Sequence, residues 1–345
     1  MRTFSYLCLL CSAYLQGGIL KEEFLSPDIE NFDCHGSSIV ETAPGKLCAV
    51  WKGGPGEGKC NINIPKDVGI WSARFEEGKW SEPECIVSAP DSVCWNPVLT
   101  QLTNGEVLLF YRLGPNPRSV VGCIKRSQDG GAQWSKEEVL PAGVFGPARS
   151  KPIVKQDGTL ICGSSIECGS PTDVWKATAC WIDISSDGGR SWKKYGPLEI
   201  PGKRFGALEP SLFYDGEGRL RLVCRDRSNK VQESGYIWTA VSEDDGKNWS
   251  SLERTDLPNP DSAVETVDLG AGAILLIYNH SFTDRFPLNI ARSCDGGKTW
   301  DPILELEGEF PAAILTSDGL VHMTYAQCPP ESTQRRIKHV VIDPN

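Results

Sequence analysis

Short stretches of alternating hydrophobic and polar residues recur along the chain, a pattern that is typical of half-buried β-strands. Pairs of these stretches flank a turn that contains glycine, which predicts antiparallel hairpins. Six hairpins occur in this way: SSIVETAPGKLCAVW, NPVLTQLTNGEVLLFYR, KPIVKQDGTLICGSS, EPSLFYDGEGRLRLVCR, SAVETVDLGAGAILLIY and FPAAILTSDGLVHMTYA. The pattern therefore predicts an all-β protein with little helix.

A third alternating stretch follows each hairpin, and four of these stretches end in the motif Ser-x-Asp-x-Gly-x-x-Trp. The four copies read SQDGGAQW, SSDGGRSW, SEDDGKNW and SCDGGKTW, and a degenerate fifth copy, RFEEGKW, ends at Trp80. Successive closing Trp residues lie 51 to 58 positions apart. A unit that repeats at this period cannot bury its apolar face alone, so the units are expected to pack against one another.

Six repeats of this kind predict one six-bladed β-propeller over residues 23–345. After the sixth hairpin, RIKHVVID supplies only a third strand before the sequence stops. We expect the segment EEFLSP, which begins at Glu23, to add the outer fourth strand and close the ring, because closure removes exposed sheet edges.

Charge and composition limit the classes of partner that the protein is expected to bind. The net charge of −10 argues against nucleic acid and anionic membrane surfaces, which attract basic proteins. The chain has only four His and lacks the paired CxxC units of a structural zinc site, so no cofactor or metal is expected. Its 14 Cys suit either disulfides or buried thiols, and the sequence leaves the two open.

The first 18 residues resemble a short signal peptide, with Arg2 followed by an apolar stretch. This predicts a secreted or periplasmic protein, and a cytoplasmic one if the segment is not a leader. No later apolar run is long enough to span a membrane, so no membrane insertion is expected.

Polar side chains cluster where the first strand of each repeat begins and where the second ends. In a propeller these positions surround one end of the central channel, so we expect a binding site there. The candidates from the six repeats include His35, Trp95, Arg112, Lys151, Glu209, Arg225, Asn279, His280, Phe310 and Tyr325.

The Ser-x-Asp-x-Gly-x-x-Trp turns resemble the Asp boxes of the sialidase superfamily, and this resemblance covers the chain from Glu23 onward. The runs CHGSSIV, CWNPVL, DLPNP, YNHS and RRIKHVV resemble a neuraminidase-like branch of it. The resemblance implies the propeller fold and a glycan with a terminal acidic sugar as the partner. It also implies that the box residues Asp129, Asp187, Asp244 or Asp245, and Asp295 are structural, since their carboxylates accept turn N–H groups.

Sialidases bind the substrate carboxylate with three arginines and use a Tyr nucleophile, an assisting Glu and a carboxylic acid. Glu209 and Arg225 resemble the assisting Glu and the second Arg, and Arg285 resembles the third Arg. His35-Gly36-Ser37 stands where the first Arg is expected, and Phe310 stands where the Tyr is expected. Glu57 and Asp67 compete for the place of the acid, and Tyr325 is a possible substitute for the nucleophile.

Three functions follow. The first is an exo-acting glycoside hydrolase on an acidic sugar: Arg225 and Arg285, with Arg112 or Lys151, hold the carboxylate, and Trp95 and Asn279 are further substrate-binding candidates. The second is a uronate lyase that uses His35, His280 or Tyr325 as the base. The third is a glycan-binding propeller without turnover, which the absence of the expected Tyr and Arg favours.

Overall fold

The alternating stretches of the sequence form β-strands in the computed structural model, which describes residues 18–30, 32–55, 68–90, 92–168, 177–202, 206–227, 235–329, 332 and 334–345. The strands make six antiparallel sheets, and the first strands of most neighbouring sheets contact one another around a common axis. The protein is a six-bladed β-propeller, as the repeat predicts. The described residues include no helix, and therefore none that is long and apolar enough to cross a membrane.

The strands are numbered along the chain and grouped by blade. The N-terminal strand is β1 (Ile19–Phe24). Blade one comprises β2 (Phe32–Ala43), β3 (Lys46–Pro55), β4 (Gly69–Glu76), β5 (Lys79–Trp80) and β6 (Glu84–Val87). Blade two comprises β7 (Cys94–Gln101), β8 (Val107–Asn116), β9 (Ser119–Ser127) and β10 (Glu138–Val139). Blade three comprises β11 (Ile153–Val154), β12 (Leu160–Cys168), β13 (Ala177–Ser185) and β14 (Lys193–Tyr195).

The last three blades repeat this order. Blade four comprises β15 (Ala207–Tyr214), β16 (Leu220–Asp226), β17 (Tyr236–Ser242) and β18 (Glu253–Pro258). Blade five comprises β19 (Glu265–Gly270), β20 (Ala273–Asn279), β21 (Leu288–Ser293) and β22 (Asp301–Leu306). Blade six comprises β23 (Glu309–Leu315), β24 (Val321–Gln327) and β25 (Arg336–Ile342).

Both ends of the sequence contribute to blade six. Strand β1 pairs antiparallel with β25, with Glu23 opposite His339 and Phe24 opposite Lys338. The sheet order is β1-β25-β24-β23, so the N-terminal strand is the outer strand of the last blade. This confirms the predicted closure of the ring and leaves no unpaired edge on β25.

The Asp boxes join the third and fourth strands of their blades. In blade three, the Asp187 carboxylate accepts hydrogen bonds from the backbone N–H groups of Arg190 (3.0 Å) and Ser191 (2.8 Å). The Trp192 indole donates to Gly189 O (3.1 Å) and packs edge-on against Phe110 of blade two, with ring centroids 6.0 Å apart. The same carboxylate contacts recur at Asp129, Asp244 and Asp295. The box carboxylates therefore close turns, as predicted.

The ten cysteines whose side chains the structure describes are free thiols. Seven of them are buried: Cys34, Cys48, Cys94, Cys123, Cys162, Cys180 and Cys224. Most of these pack in the apolar clusters between blades, where they act as small hydrophobic side chains. The described part of the chain thus favours buried thiols over disulfides.

Blade three departs from the predicted pattern at its first strand. The stretch KPIVKQ predicts a full strand, but β11 covers only Ile153 and Val154. The residues before it bond to other blades instead: Arg149 donates to Ser37 O and Pro311 O, and Ser150 donates to Val264 O (3.1 Å). These bonds carry the segment across the central channel, so it cannot also complete the ladder of its own sheet.

Candidate functional site

The first strands of the blades open with a backbone distortion that the hydrophobic pattern does not reveal. Five residues at these openings have φ between +41° and +57°: Gly36, Asn96, Glu209, Asp261 and Phe310. The register of the strand ladder shifts at all of them except Asp261. A bulge with positive φ turns a side chain away from the sheet. Non-glycine residues in this conformation are uncommon, and they concentrate at functional sites.

These distorted openings bring side chains from different blades into contact. The Asn96 amide of blade two donates to Glu209 Oε1 of blade four (3.2 Å) and to Ala148 O of blade three (3.1 Å). Asp261, at the opening of blade five, lies 3.4 Å from Arg225 Nε. The openings therefore meet at one end of the central channel, which we call the mouth.

Phe310 lies in the middle of the mouth. The His35 ring centroid is 4.0 Å from that of Phe310, and the guanidinium carbons of Arg285, Arg149 and Arg225 lie 4.9, 5.7 and 5.7 Å from it. We call these five residues the central cluster. The Phe310 face supports the guanidinium charges through cation–π contacts.

Carboxylates hold the arginines in place. Glu209 Oε2 lies 3.3 Å from Arg225 Nη1, and Glu309 Oε2 lies 3.2 Å from Arg285 Nη1. The other Glu309 oxygen accepts a hydrogen bond from Arg335 Nη1 (2.8 Å). Pairing of this kind offsets the desolvation of charges that would otherwise be very unfavourable at buried positions.

His35 is neutral in this environment. Burial lowers the pKa of His35 well below its ordinary 6.5, and the positive charge of Arg335 lowers it further. For Glu309, burial raises the pKa, but the contact with His35 and the charges of Arg285 and Arg335 outweigh burial, so the pKa lies below its usual 4.5. At neutral pH the mouth thus contains a neutral imidazole beside an ionised carboxylate.

Several buried polar atoms of the mouth have no hydrogen-bond partner among the described residues. They include Arg225 Nε and Nη1, Glu209 Oε2 and His35 Nε2, which contact charged groups at 3.3 to 3.5 Å without hydrogen-bond geometry. Arg225 is 2% exposed and Glu209 3% exposed. Buried polar atoms without hydrogen bonds are costly, and they are retained where a ligand or water completes them. The mouth has the features of a binding site for a polar molecule.

The structure brings together His35, Glu209, Arg225 and Arg285 of the predicted site residues. Glu57 and Asp67, the candidates for the acid, lie outside the described residues. Lys151 bonds to Glu265 Oε1 (2.7 Å) and Thr266 O (2.6 Å), and Arg112 donates to Ser165 O (2.9 Å) beneath Phe145. Lys151 therefore connects blade three with blade five, and Arg112 connects blade two with blade three.

Three further predicted residues have structural contacts. The Trp95 indole donates to Gly114 O (2.9 Å), and its ring lies under Lys52 Nζ. The Asn279 amide donates to Pro287 O and Gly308 O, 3.0 Å each. Tyr325 is 1% exposed and packs in the apolar cluster between blades five and six, so its hydroxyl is not in the central cluster.

The sequence reasoning missed Arg149 and Arg335. Arg149 directly precedes the predicted Ser150-Lys151 opening, and Arg335 is the first residue of the run RRIKHVV. Both arginines lie outside predicted strands, so neither strand alternation nor the repeat indicated where their side chains lie. Their position just before a strand was the available signal.

A cavity near the box motifs lies away from these charged groups. It has a volume of about 290 Å³ and is lined by residues such as Lys155, Trp192 and Asp245 at the end of blades three and four that carries the Asp boxes. That end is opposite the mouth, because each box follows a third strand that runs away from it. We place the candidate site at the mouth, where charged groups from several blades converge.

Residues 45–323 match the model of the BNR repeat-like domain family. The chain belongs to this family. Two relatives of this BNR repeat-like protein are sialidases. The sialidase of Bacteroides fragilis is 29% identical over 237 residues, which are 59% of the chain and 40% of that protein. The sialidase of Micromonospora viridifaciens is 25% identical over 330 residues, which are 84% of the chain and 49% of that protein. The matched part of the chain thus spans less than half the length of each of these relatives.

Solved structures share the fold of this BNR repeat-like protein. A Dyadobacter fermentans protein of unknown function superposes with a TM-score of 0.78 at 17% identity, covering 95% of the chain and 99% of that structure. The Hadza microbial sialidase Hz136 superposes with a TM-score of 0.71 at 18% identity, covering 90% of the chain and 66% of that structure. The protein therefore has a sialidase-like propeller fold.

Proposed function

We propose that the protein is an exo-acting glycoside hydrolase that releases a terminal acidic sugar from a glycan. The observation that carries this proposal is the convergence of Arg225 and Arg285 on Phe310 at the mouth, where Arg225 Nε and Nη1 contact carboxylates at 3.3 to 3.4 Å but form no hydrogen bond among the described residues. Guanidinium groups bind carboxylates in a forked geometry with directional hydrogen bonds. The sialidase names of two relatives support the same substrate class.

The chemistry of the mouth favours water as the nucleophile. Phe310 has no oxygen and cannot form a covalent intermediate, and Tyr325 lies in the core. Glu209 contacts Arg225, and its Oε2 has no hydrogen-bond donor among the described residues. In this proposal Glu209 accepts a proton from the attacking water, and Glu57 or Asp67 donates a proton to the leaving oxygen.

The elimination hypothesis rests on His35. Of the three bases considered for it, Tyr325 is buried in the core, and His280 Nδ1 is hydrogen-bonded to the Tyr278 hydroxyl (2.5 Å). His35 is neutral, and a neutral imidazole can abstract the proton beside a carboxylate. A lyase product contains a new double bond that absorbs ultraviolet light, so the two reactions are easily separated.

A glycan-binding propeller without turnover is the third candidate. Phe310 favours it, because an apolar ring occupies the centre of the cluster where chemistry would occur. The paired arginines and carboxylates still suit recognition of a carboxylate. Binding without product formation is the distinguishing result.

The test is product formation on sialylated and uronate-terminated glycans, with free sugar and ultraviolet absorbance recorded together. We expect free sugar without absorbance from the wild-type protein. Arg285→Ala should lower kcat/KM by about tenfold or more, since it removes a charged hydrogen bond to the substrate. Glu209→Gln should lower kcat while binding persists.

Arg254→Ala is the matched control, because Arg254 also lies over an aromatic ring, Tyr236, but on the outer strand β18. Its kinetics should equal those of the wild type. Absorbance in place of free sugar would support the lyase with His35 as base. Binding of the glycans without any product would support the glycan-binding protein.

A further inference from the structure

Arg335 completes the charged network of the mouth from an unexpected direction. It directly precedes β25, the third strand of blade six, and its Nη1 donates to the Glu309 oxygen that lies 3.5 Å from His35 Nε2. The Arg335 guanidinium and the His35 imidazole thus share one carboxylate oxygen. Arg335 lies at the junction of blades one and six. His35, which stands where the resemblance to sialidases implies an arginine, lies at the same junction.

Asp33 fixes the orientation of Arg335. The Asp33 carboxylate accepts hydrogen bonds from Arg335 Nη2 (2.7 Å) and Nε (3.2 Å), and from the Arg335 backbone N–H. Cys34 N–H donates in return to Arg335 O (2.9 Å). A guanidinium held by a forked carboxylate contact has one well-defined orientation, which is what recognition of a second carboxylate requires.

Glu309 places Arg335 beside Arg285. One Glu309 oxygen contacts Arg335 Nη1 and the other contacts Arg285 Nη1, so the carboxylate bridges two guanidinium groups. The Arg335 contacts to Asp33 and Glu309 engage three of the five N–H donors of its guanidinium. The side chain is 19% exposed, and that of Arg285 is 35% exposed.

Three other arginines of the mouth, Arg112, Arg149 and Arg227, are engaged in the fold. Arg149 is 1% exposed and donates from both Nη atoms to backbone carbonyls of blades one and six. Arg112 is buried and donates to Ser165 O. Arg227 pairs with Glu167 and Asp261. Among the described arginines of the mouth, Arg285 and Arg335 combine exposure with a common bridging carboxylate.

We propose that Arg335 determines specificity in this site, binding the sugar carboxylate together with Arg225 and Arg285. The inference rests on the proposed function, since it assigns a residue to the same carboxylate. Arg335 supplies the third guanidinium from the last blade, in place of one from blade one. The ligand is the sugar acid of the proposed function, because a carboxylate matches the forked donor geometry of a guanidinium.

This assignment places the binding site across the point where the ring closes. The residues that follow Arg335 contact the N-terminal segment: Ile337 N–H donates to Ser26 Oγ (2.9 Å), and Leu25 N–H donates to Ile337 O (2.8 Å). Asp33 lies on β2, a few residues after that segment. A bound carboxylate therefore links the two ends of the chain and should stabilise the closed ring.

The test is the preference for a free acid over its methyl ester, measured by calorimetric titration of N-acetylneuraminic acid, glucuronic acid and the two methyl esters. Esterification removes the charge but leaves the sugar unchanged. We expect the wild-type protein to prefer one free acid, and Arg335→Ala to reduce that preference about tenfold or more. Arg335→Lys, which keeps a cation without the fork, should restore part of it.

Arg336→Ala is the matched control, because Arg336 contacts Asp28 and Ser26 O at the same junction but not the mouth. It should retain the full preference for the acid. Thermal melting shows whether each variant is folded. If Arg335→Ala does not fold, Arg335→Lys replaces it in the test, because it keeps a cation beside Asp33.

An unchanged acid preference in the folded Arg335 variants, with loss of the preference in Arg285→Ala, would overturn the assignment of Arg335 and leave the proposed function standing. A wild-type protein that binds neither acid, or binds acid and ester equally, would overturn both.

Discussion

Single residues decide which groups the mouth presents. Phe310, with φ of +55°, lies among His35, Arg149, Arg225 and Arg285 and presents an apolar ring to them. An aromatic face stabilises cations without neutralising them. The arginines can therefore stay close together and charged, which suits recognition of an anion.

Gly308 directly precedes Glu309 and Phe310 of the mouth. A methyl group added at Gly308 would overlap with neighbouring atoms. A Cβ would lie 2.3 Å from Tyr325 Cδ2 and 2.8 Å from Ala326 O, and the glycine has φ of +153°. We expect Gly308→Ala to lower the free energy of unfolding by about 2 to 5 kcal/mol, from overpacking and backbone strain together. Urea denaturation measures this loss.

Gly319 provides the comparison. It has φ of +83°, and a Cβ added there would have no atom within 4 Å, so Gly319→Ala adds only backbone strain, about 1 to 2 kcal/mol. Equal losses for the two variants would show that contact with Tyr325 does not matter.

Strands and turns have separate tasks in each blade. The bulged openings of the first strands build the mouth, whereas the Asp boxes close the turns at the opposite end. The Ser185 hydroxyl donates to Asp187 (2.8 Å), and Asp187 in turn accepts the backbone N–H of Ser191 (2.8 Å). The candidate site and the turn motifs thus lie at opposite ends of the blade.

Loss of a box carboxylate should therefore affect stability and not binding. Asp187→Ala removes the acceptor for the N–H groups of Arg190 and Ser191, and we expect a loss of about 1 kcal/mol in the free energy of unfolding. Urea denaturation and titration with the acidic sugar together test this. Ser186→Ala, in the same exposed turn, should change stability by less than about 0.5 kcal/mol. Weaker binding by folded Asp187→Ala would contradict the separation of tasks.

At the scale of the whole molecule, ring closure depends on a small buried network. His339 on β25 lies 3.2 Å from Glu23 Oε1 on β1 and 3.0 Å from His322 on β24, and the Trp80 indole of blade one donates to Glu23 (3.1 Å). Lys21 pairs with the same carboxylate at 2.8 Å. This network joins β1 to both neighbouring blades.

The network makes closure sensitive to acid. Burial and the neighbouring His322 lower the pKa of His339 from 6.5 to about 4, so the unfolded chain binds a proton at a higher pH than the folded chain. Stability should fall as the pH drops from about 6.5 to about 4. Lowered pKa values of Glu23 and His322 act in the same direction. Thermal melting between pH 7 and pH 4 measures the decline.

His339→Gln keeps hydrogen-bonding groups but cannot titrate. Its melting temperature should depend less on pH than that of the wild type in this range. Asp318 and Glu41, which lie near His322, favour its charged form and moderate the effect. An identical pH dependence in both proteins would rule out His339 as the source.

Much of the fold could be predicted from the sequence because its determinants are local. Hydrophobic alternation predicted the strands, and the glycine turns predicted the hairpins. The prediction failed at β11, where the apolar stretch was correctly identified but Arg149 and Ser150 bond across the channel. Long-range bonds of this kind leave no periodic signal.

The candidate site was predicted only in part. Glu209, Arg225 and Arg285 were found from the resemblance, and the structure places them together at the mouth. Tyr325 has a hydroxyl that the sequence suggested as a nucleophile, but the alternation of β24 places its side chain in the core. A strand residue faces one side or the other, and a residue at a strand end can be assigned only when the register is known.

By itself, the sequence determined the number of blades, the Asp-box turns and the closure by the N-terminal strand, because each depends on residues close together in the chain or on a regular repeat. The tertiary structure alone decided the composition of the mouth. Arg149 and Arg335 enter it from segments outside the strands, and Asp33 lies 302 positions from the Arg335 that it orients. Such contacts depend on how six blades close around one axis, and no local pattern encodes that geometry.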